Sequence, residues 1–246
     1  WAYYAHEFLH SVGGIPDLYL GDNKVGTQPI DFFWSSNPMY HWGIMSNQDG
    51  GSQTLIAWHR WLLGWLDENQ VYCLPSSVLD SVEVTLTPIE REIEGFKAAM
   101  IPINDQKLIV VESRREEGYD ANLGNNAVGY YDNEGIRRRG WQRDYGTSGV
   151  IVYTHDTSIQ DGNGQTRLQV PEGRINDKAN ASCPISVCTW ADREDPFILW
   201  DPDDDNAVMV ETGYDPLLRL GDKVSVEGVT IELVRSGTYD RIRISK

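Results

Sequence analysis

Positive charge is what this chain most lacks. It carries 21 Lys and Arg against 37 Asp and Glu, a formal charge of −16 over 246 residues. That deficit argues against nucleic-acid binding and against anionic membrane surfaces. Long apolar runs are missing too: no stretch of 18 residues could form a spanning helix, so no membrane span is expected. Cysteines number three and allow three pairings, among which the sequence does not choose. Aromatics, in contrast, are plentiful. Nine tryptophans and twelve tyrosines exclude a disordered tail, and the length suffices for one large or two modest domains with proper cores.

Only five histidines are present, yet two of them open the chain in the order His6-Glu7-Phe8-Leu9-His10. Histidines four apart on a helix share one face, about one 5.4 Å turn apart. That spacing suits two imidazole ligands of one zinc, with Glu7 beside the first ligand as a base for water. Chance seldom produces the pattern from so few histidines. Gly13-Gly14 stops the helix, because glycine tolerates the left-handed conformation at a helix C-terminus. Pro16 fixes the backbone before Asp17, whose carboxylate is an acceptable third ligand. Trp42-Gly43-Ile44-Met45-Ser46 then forms a short apolar turn around one of four methionines.

The stretches AHEFLHSVGGIPDLY (5–19), WGIMS (42–46) and AWHRWLLGWLD (57–67) resemble the immune inhibitor A family of secreted metzincin zinc peptidases. LIVVESRREEGYD (108–120) resembles that family's strand with Glu-x-Arg and a later Gly-aromatic-Asp. GVIVYTHD (149–156) resembles a further strand of it. The resemblance implies zinc held by His6, His10 and Asp17, Glu7 as general base, and Met45 as the methionine turn beneath the metal. The family motif HExxHxxGxxD sets its aspartate six residues after the second histidine. Here Asp17 is seven after His10, so His41, His59 and Asp22 stand as alternative third ligands. Tyr40, His41 and Tyr19 are candidates for stabilising an oxyanion.

The fold expected is α+β: the C-terminal part of a metzincin-type domain over residues 1–72, then a β-rich, sandwich-like antiparallel domain over 73–246. Because metzincins set a sheet before this helix, the chain reads as a fragment of a longer precursor. Helices are expected over 1–13, with Trp1, Tyr4, Phe8 and Val12 as an apolar face, and over 53–66, whose tryptophans read as core. Residues 14–50 read mostly as loop. Beyond residue 72 the period changes to two, with Val82, Val84 and Leu86 alternating with polar residues. Further strands are expected at 98–103, 108–112, 149–154, 208–211, 223–226, 230–234 and 241–244. Arg137-Arg138-Arg139 reads as a solvated loop.

Cys183 and Cys188 are close enough for a small disulfide-closed loop, leaving Cys73 to a cysteine upstream. Acidic loops at 201–206 and 161–164 offer the oxygen ligands Ca2+ prefers, without the EF-hand spacing. The function expected is a secreted, extracellular, Zn2+-dependent endopeptidase acting on protein or peptide substrates. The rival reading is a degenerate metzincin whose β-rich part binds glycan, cell wall or protein. A purely structural zinc fits less well, since such sites are closed by four protein ligands, mostly cysteines.

Overall fold

The computed structural model describes residues 1–19, 39, 42–46, 48, 51–121, 123, 126–131, 137–142, 148–159, 164–169, 171 and 216–246. Two helices lie near the start: α1 (Ala2–Gly13) and α2 (Ala57–Leu62). Eleven strands follow among the described residues: β1 (Val71–Cys73), β2 (Ser81–Leu86), β3 (Ala98–Pro102), β4 (Lys107–Arg114), β5 (Asn126–Tyr131), β6 (Arg137–Gln142), β7 (Gly149–Asp156), β8 (Thr166–Gln169), β9 (Lys223–Val226), β10 (Val229–Arg235) and β11 (Asp240–Ser245). The protein is α+β and mostly sheet.

The larger sheet has the order β1-β3-β4-β7-β8, and a four-stranded sheet runs β2-β11-β10-β9. β5 and β6 form a separate antiparallel ribbon, so the three arginines expected in a loop belong to a strand. One pair departs from the antiparallel expectation. β1 runs parallel to β3, because the chain crosses into the other sheet as β2 before returning.

The central strands are buried on both faces, which is why they read as apolar runs. Alternate residues serve two cores. On one face Ala99, Ile101, Ile109, Val111, Val150 and Val152 meet Val84, Leu86, Ile231, Leu233, Ile242 and Ile244 of the four-stranded sheet. On the other, Ala98, Met100, Val110, Ile151 and Tyr153 meet Ile15, Leu18, Met45, Leu55, Ile56 and Ala57. The second core therefore draws on both sides of residue 72.

α1 ends as expected. Gly14 adopts φ 60°, and its N–H and that of Ile15 close onto the carbonyls of His10 and Leu9. Its inward face is Ala2, Ala5, His6 and Leu9. The apolar stripe expected to face a core instead faces outward, with Trp1, Tyr4, Phe8 and Val12 at 70, 77, 60 and 69% exposure. Nothing in the sequence separates a stripe that meets a core from one left open, since both repeat at helical spacing. α2 is also shorter than the helix expected over 53–66. Residues 53–56 are used as extended backbone: Gln53 N–H donates to Tyr119 O, and Thr54 O accepts from Ile44 N–H. At the other end Gly64 at φ 69° lies past the helix, and Leu62 and Trp65 are exposed rather than core.

Candidate metal centre

Three donor atoms converge at the C-terminal half of α1. His6 Nε2 lies 3.0 Å from His10 Nε2, and Asp17 Oδ1 lies 3.1 Å from each. The i, i+4 spacing stacks the imidazoles on one face, with ring planes at 85°. Asp17 returns to them because the left-handed Gly14 reverses the chain and Ile15 plugs the core at 2% exposure. The extra residue relative to HExxHxxGxxD is absorbed in this reversal.

Backbone carbonyls orient both rings. His6 Nδ1 donates to Ile44 O at 2.9 Å, and His10 Nδ1 donates to Ile15 O at 2.6 Å. A carbonyl can only accept, so each Nδ1 donates and the Nε2 of each ring is the atom turned to the centre. Asp17 Oδ1 is buried and has no hydrogen-bond donor. Two imidazole nitrogens and a carboxylate oxygen thus lie within 3.1 Å of one another, one ligand-type atom from each of three residues. A tetrahedral zinc with bonds of about 2.0–2.1 Å sets its donors about 3.3 Å apart. The donor set and spacing fit that ion.

Glu7, next to His6 in the chain, is exposed, and Tyr19 stacks nearly parallel to His6, 6.2 Å away and tilted by 10°. Met45 is fully buried in the shared core. Its turn is closed by Ser46 N–H to Gly43 O and Trp42 N–H to Met39 O. Gly43 adopts φ 138°, and a Cβ there would lie 3.2 Å from Ile56 Cγ2, so the turn needs glycine. Met45 O accepts from Leu18 N–H at 3.0 Å. Two consecutive carbonyls of the turn therefore hold His6 and the residue beside Asp17.

His59, weighed as an alternative ligand, is outside this group. It is fully buried on α2 and neither ring nitrogen has a partner. Burial lowers its pKa to about 3, with His155 and His10 adding to the effect. Burial likewise lowers His155 to about 4, its Nδ1 paired with Thr166 Oγ1. Tyr40, His41, Asp22, Cys183, Cys188, most of the 161–164 loop and the whole 201–206 loop lie outside the described residues. Cys73 is exposed at the end of β1 without a disulfide among the described residues.

A second buried cluster lies behind the turn, and the sequence offered it only as a motif. Glu112 and Arg114, two apart on β4, share the face turned toward the α1 and α2 core. Asp120 closes on them from the short 3-10 turn Gly118–Asp120. The spacing Glu-x-Arg was the available signal, since period two puts both on one side of a strand. No family model matches the chain, and no curated protein or solved structure is similar to it. No helix among the described residues is long and apolar enough to cross a membrane.

Proposed function

We propose that the protein is a zinc-dependent endopeptidase. The observation that carries this reading is the convergence of His6 Nε2, His10 Nε2 and Asp17 Oδ1, one ligand-type atom from each residue. His6, His10 and Asp17 would hold the metal and leave a fourth position open, as catalytic rather than structural sites do. When bound, zinc supplies Lewis acidity that polarises a carbonyl and lowers the pKa of a coordinated water to about 7.

The remaining work falls to this chain's own groups. Ile44 and Ile15 fix the imidazole tautomers through their carbonyls. Glu7, exposed and next to His6 in the chain, accepts one proton as water oxygen adds to the scissile carbonyl carbon. It returns that proton to the leaving amine as the C–N bond breaks. The substrate is a peptide bond of an extracellular protein, which is what the resemblance to the immune inhibitor A family implies.

Elemental analysis of wild type beside Asp17→Ala tests the reading. One zinc per wild-type chain and a marked loss in the variant are expected. No zinc in either protein overturns it.

A further inference from the structure

The buried guanidinium behind the methionine-containing turn has no part in holding the metal, and its environment is costlier than a core needs. Arg114 is fully buried among three carboxylates, Glu90, Glu112 and Asp120. Burial works against its charge, but Asp120, Glu112 and Glu90 outweigh that and raise its pKa above the ordinary arginine value. Apolar residues of similar volume often replace such clusters without loss of stability. The geometry here does something that apolar packing would not.

We infer that Arg114 is a positioning residue for the metal centre, acting through the Trp42–Ser46 turn. This deepens the zinc reading above and rests on it. The guanidinium carbon lies 5.5 Å from the centroid of Trp42, the first residue of the turn. Its Nη2 donates to Ser52 Oγ at 2.8 Å, and Ser52 Oγ donates on to Asp120 Oδ1 at 2.9 Å. Two residues along from Ser52, Thr54 O accepts Ile44 N–H at 3.0 Å. Ile44 O is the acceptor that orients His6. The turn is thus held from below by one ring contact and from the side by one strand-like hydrogen bond. The ring contact is Arg114's own, and the hydrogen bond lies two residues beyond its partner Ser52, where Arg60 holds Thr54 Oγ1 and Leu55 O.

The rest of the fork anchors Arg114 itself. Nη1 donates to Glu112 Oε1 at 2.8 Å, and Nε donates to Glu90 Oε1 and Asp120 Oδ2, each at 3.0 Å. Glu112 also accepts the Ala57 N–H at 2.6 Å, fixing the start of α2, which has no side-chain cap of its own. A planar cation with five donors satisfies all these acceptors while offering a face to the indole. A lysine neutralises charge but lacks the planar fork that reaches all these acceptors at once.

The test compares wild type, Arg114→Lys and Ser52→Ala by zinc affinity, thermal unfolding of the metal-free proteins, and the visible absorption of Co2+ taken up in place of zinc. Arg114→Lys is expected to weaken zinc binding by about tenfold or more, the scale of outer-shell partners, and to change the Co2+ bands of the folded protein. Ser52→Ala, which leaves every charge in place, is expected to shift affinity and bands in the same direction by less. A purely structural role would lower only the unfolding temperature. Variants that bind zinc as wild type does, with wild-type Co2+ bands, overturn the inference and leave the zinc reading standing. A folded wild type that takes up neither ion overturns both.

Discussion

His6 donates from Nδ1 to the carbonyl oxygen of Ile44 across 38 positions of sequence, at 2.9 Å. The bond turns His6 Nε2 toward His10 and Asp17. Since Met45 O, next in line, accepts from Leu18 N–H, one turn sets the position of both the helix and the returning loop. Rigid support of this kind is what a metal site requires of its surroundings.

On the proposed function, replacing Glu7 separates metal binding from chemistry. Glu7→Gln is expected to keep one zinc per chain and to cut peptide hydrolysis by about 10²–10⁴-fold, the usual scale of general acid–base catalysis. Zinc content and casein cleavage, measured on the same preparation, check this. A variant as active as wild type would remove Glu7 from the mechanism.

Acid should destabilise the fold through its buried histidines. His59 and His155 have folded pKa values of about 3 and about 4, both lowered chiefly by burial, against about 6.5 unfolded. The unfolded chain binds more protons in that interval, so stability is fully present above about pH 6.5 and falls as pH drops toward 4. Urea midpoints taken between pH 7 and 4.5 should decline, and His155→Gln should decline less steeply. Parallel slopes would exclude His155 as a source.

Glu90 acts in the opposite sense. Burial, with help from Asp120 and against the pull of Arg114, raises its pKa to about 7. The folded state then holds a proton that the unfolded chain releases above about 4.3. Its contribution weakens as pH rises from there through 7. Glu90→Gln keeps an acceptor for Arg114 Nε while removing the titration, so the variant should gain on wild type as pH increases from 5 to 8. Equal midpoints across that range would contradict the assignment.

Tyr153 ties β7 to both α2 and β4. Its hydroxyl donates to Glu112 Oε2 at 3.0 Å and accepts Trp58 N–H at 3.2 Å. Tyr153→Phe strands a backbone donor and should cost about 1–3 kcal/mol, the scale for an unsatisfied buried group. Equilibrium denaturation gives the value; a change under about 0.5 kcal/mol would mean that water replaces the hydroxyl.

What could be read from the sequence was what short spacing encodes. His6 and His10 meet because four residues make one helical turn, and Gly14 reverses the chain because its φ is positive. β2, β10 and β11 were visible as alternation, and β3, β4 and β7 as apolar runs. Short strands such as β1 and β8 gave too few residues to show a period. Residues 53–56 looked helical because Leu55 and Ile56 continue the apolar spacing of α2, whereas tertiary hydrogen bonds to Ile44 and Tyr119 hold that stretch extended. The cluster around Arg114 was hidden for another reason. Its partners Ser52, Glu90 and Asp120 come from three separated segments, and Glu-Ser-Arg-Arg-Glu-Glu on its own looks like a solvated charge run.

The bond from Arg114 to Ser52 spans 62 positions, and this separation bears on when during synthesis the site can mature. Residues 6 to 17 leave the ribosome before β4 does, with all three donors already encoded. The strand that steadies their turn is made about a hundred residues later, at several seconds' delay for synthesis of about 5–20 residues per second. A nascent chain therefore carries the three donors before the strand that supports their turn has been made.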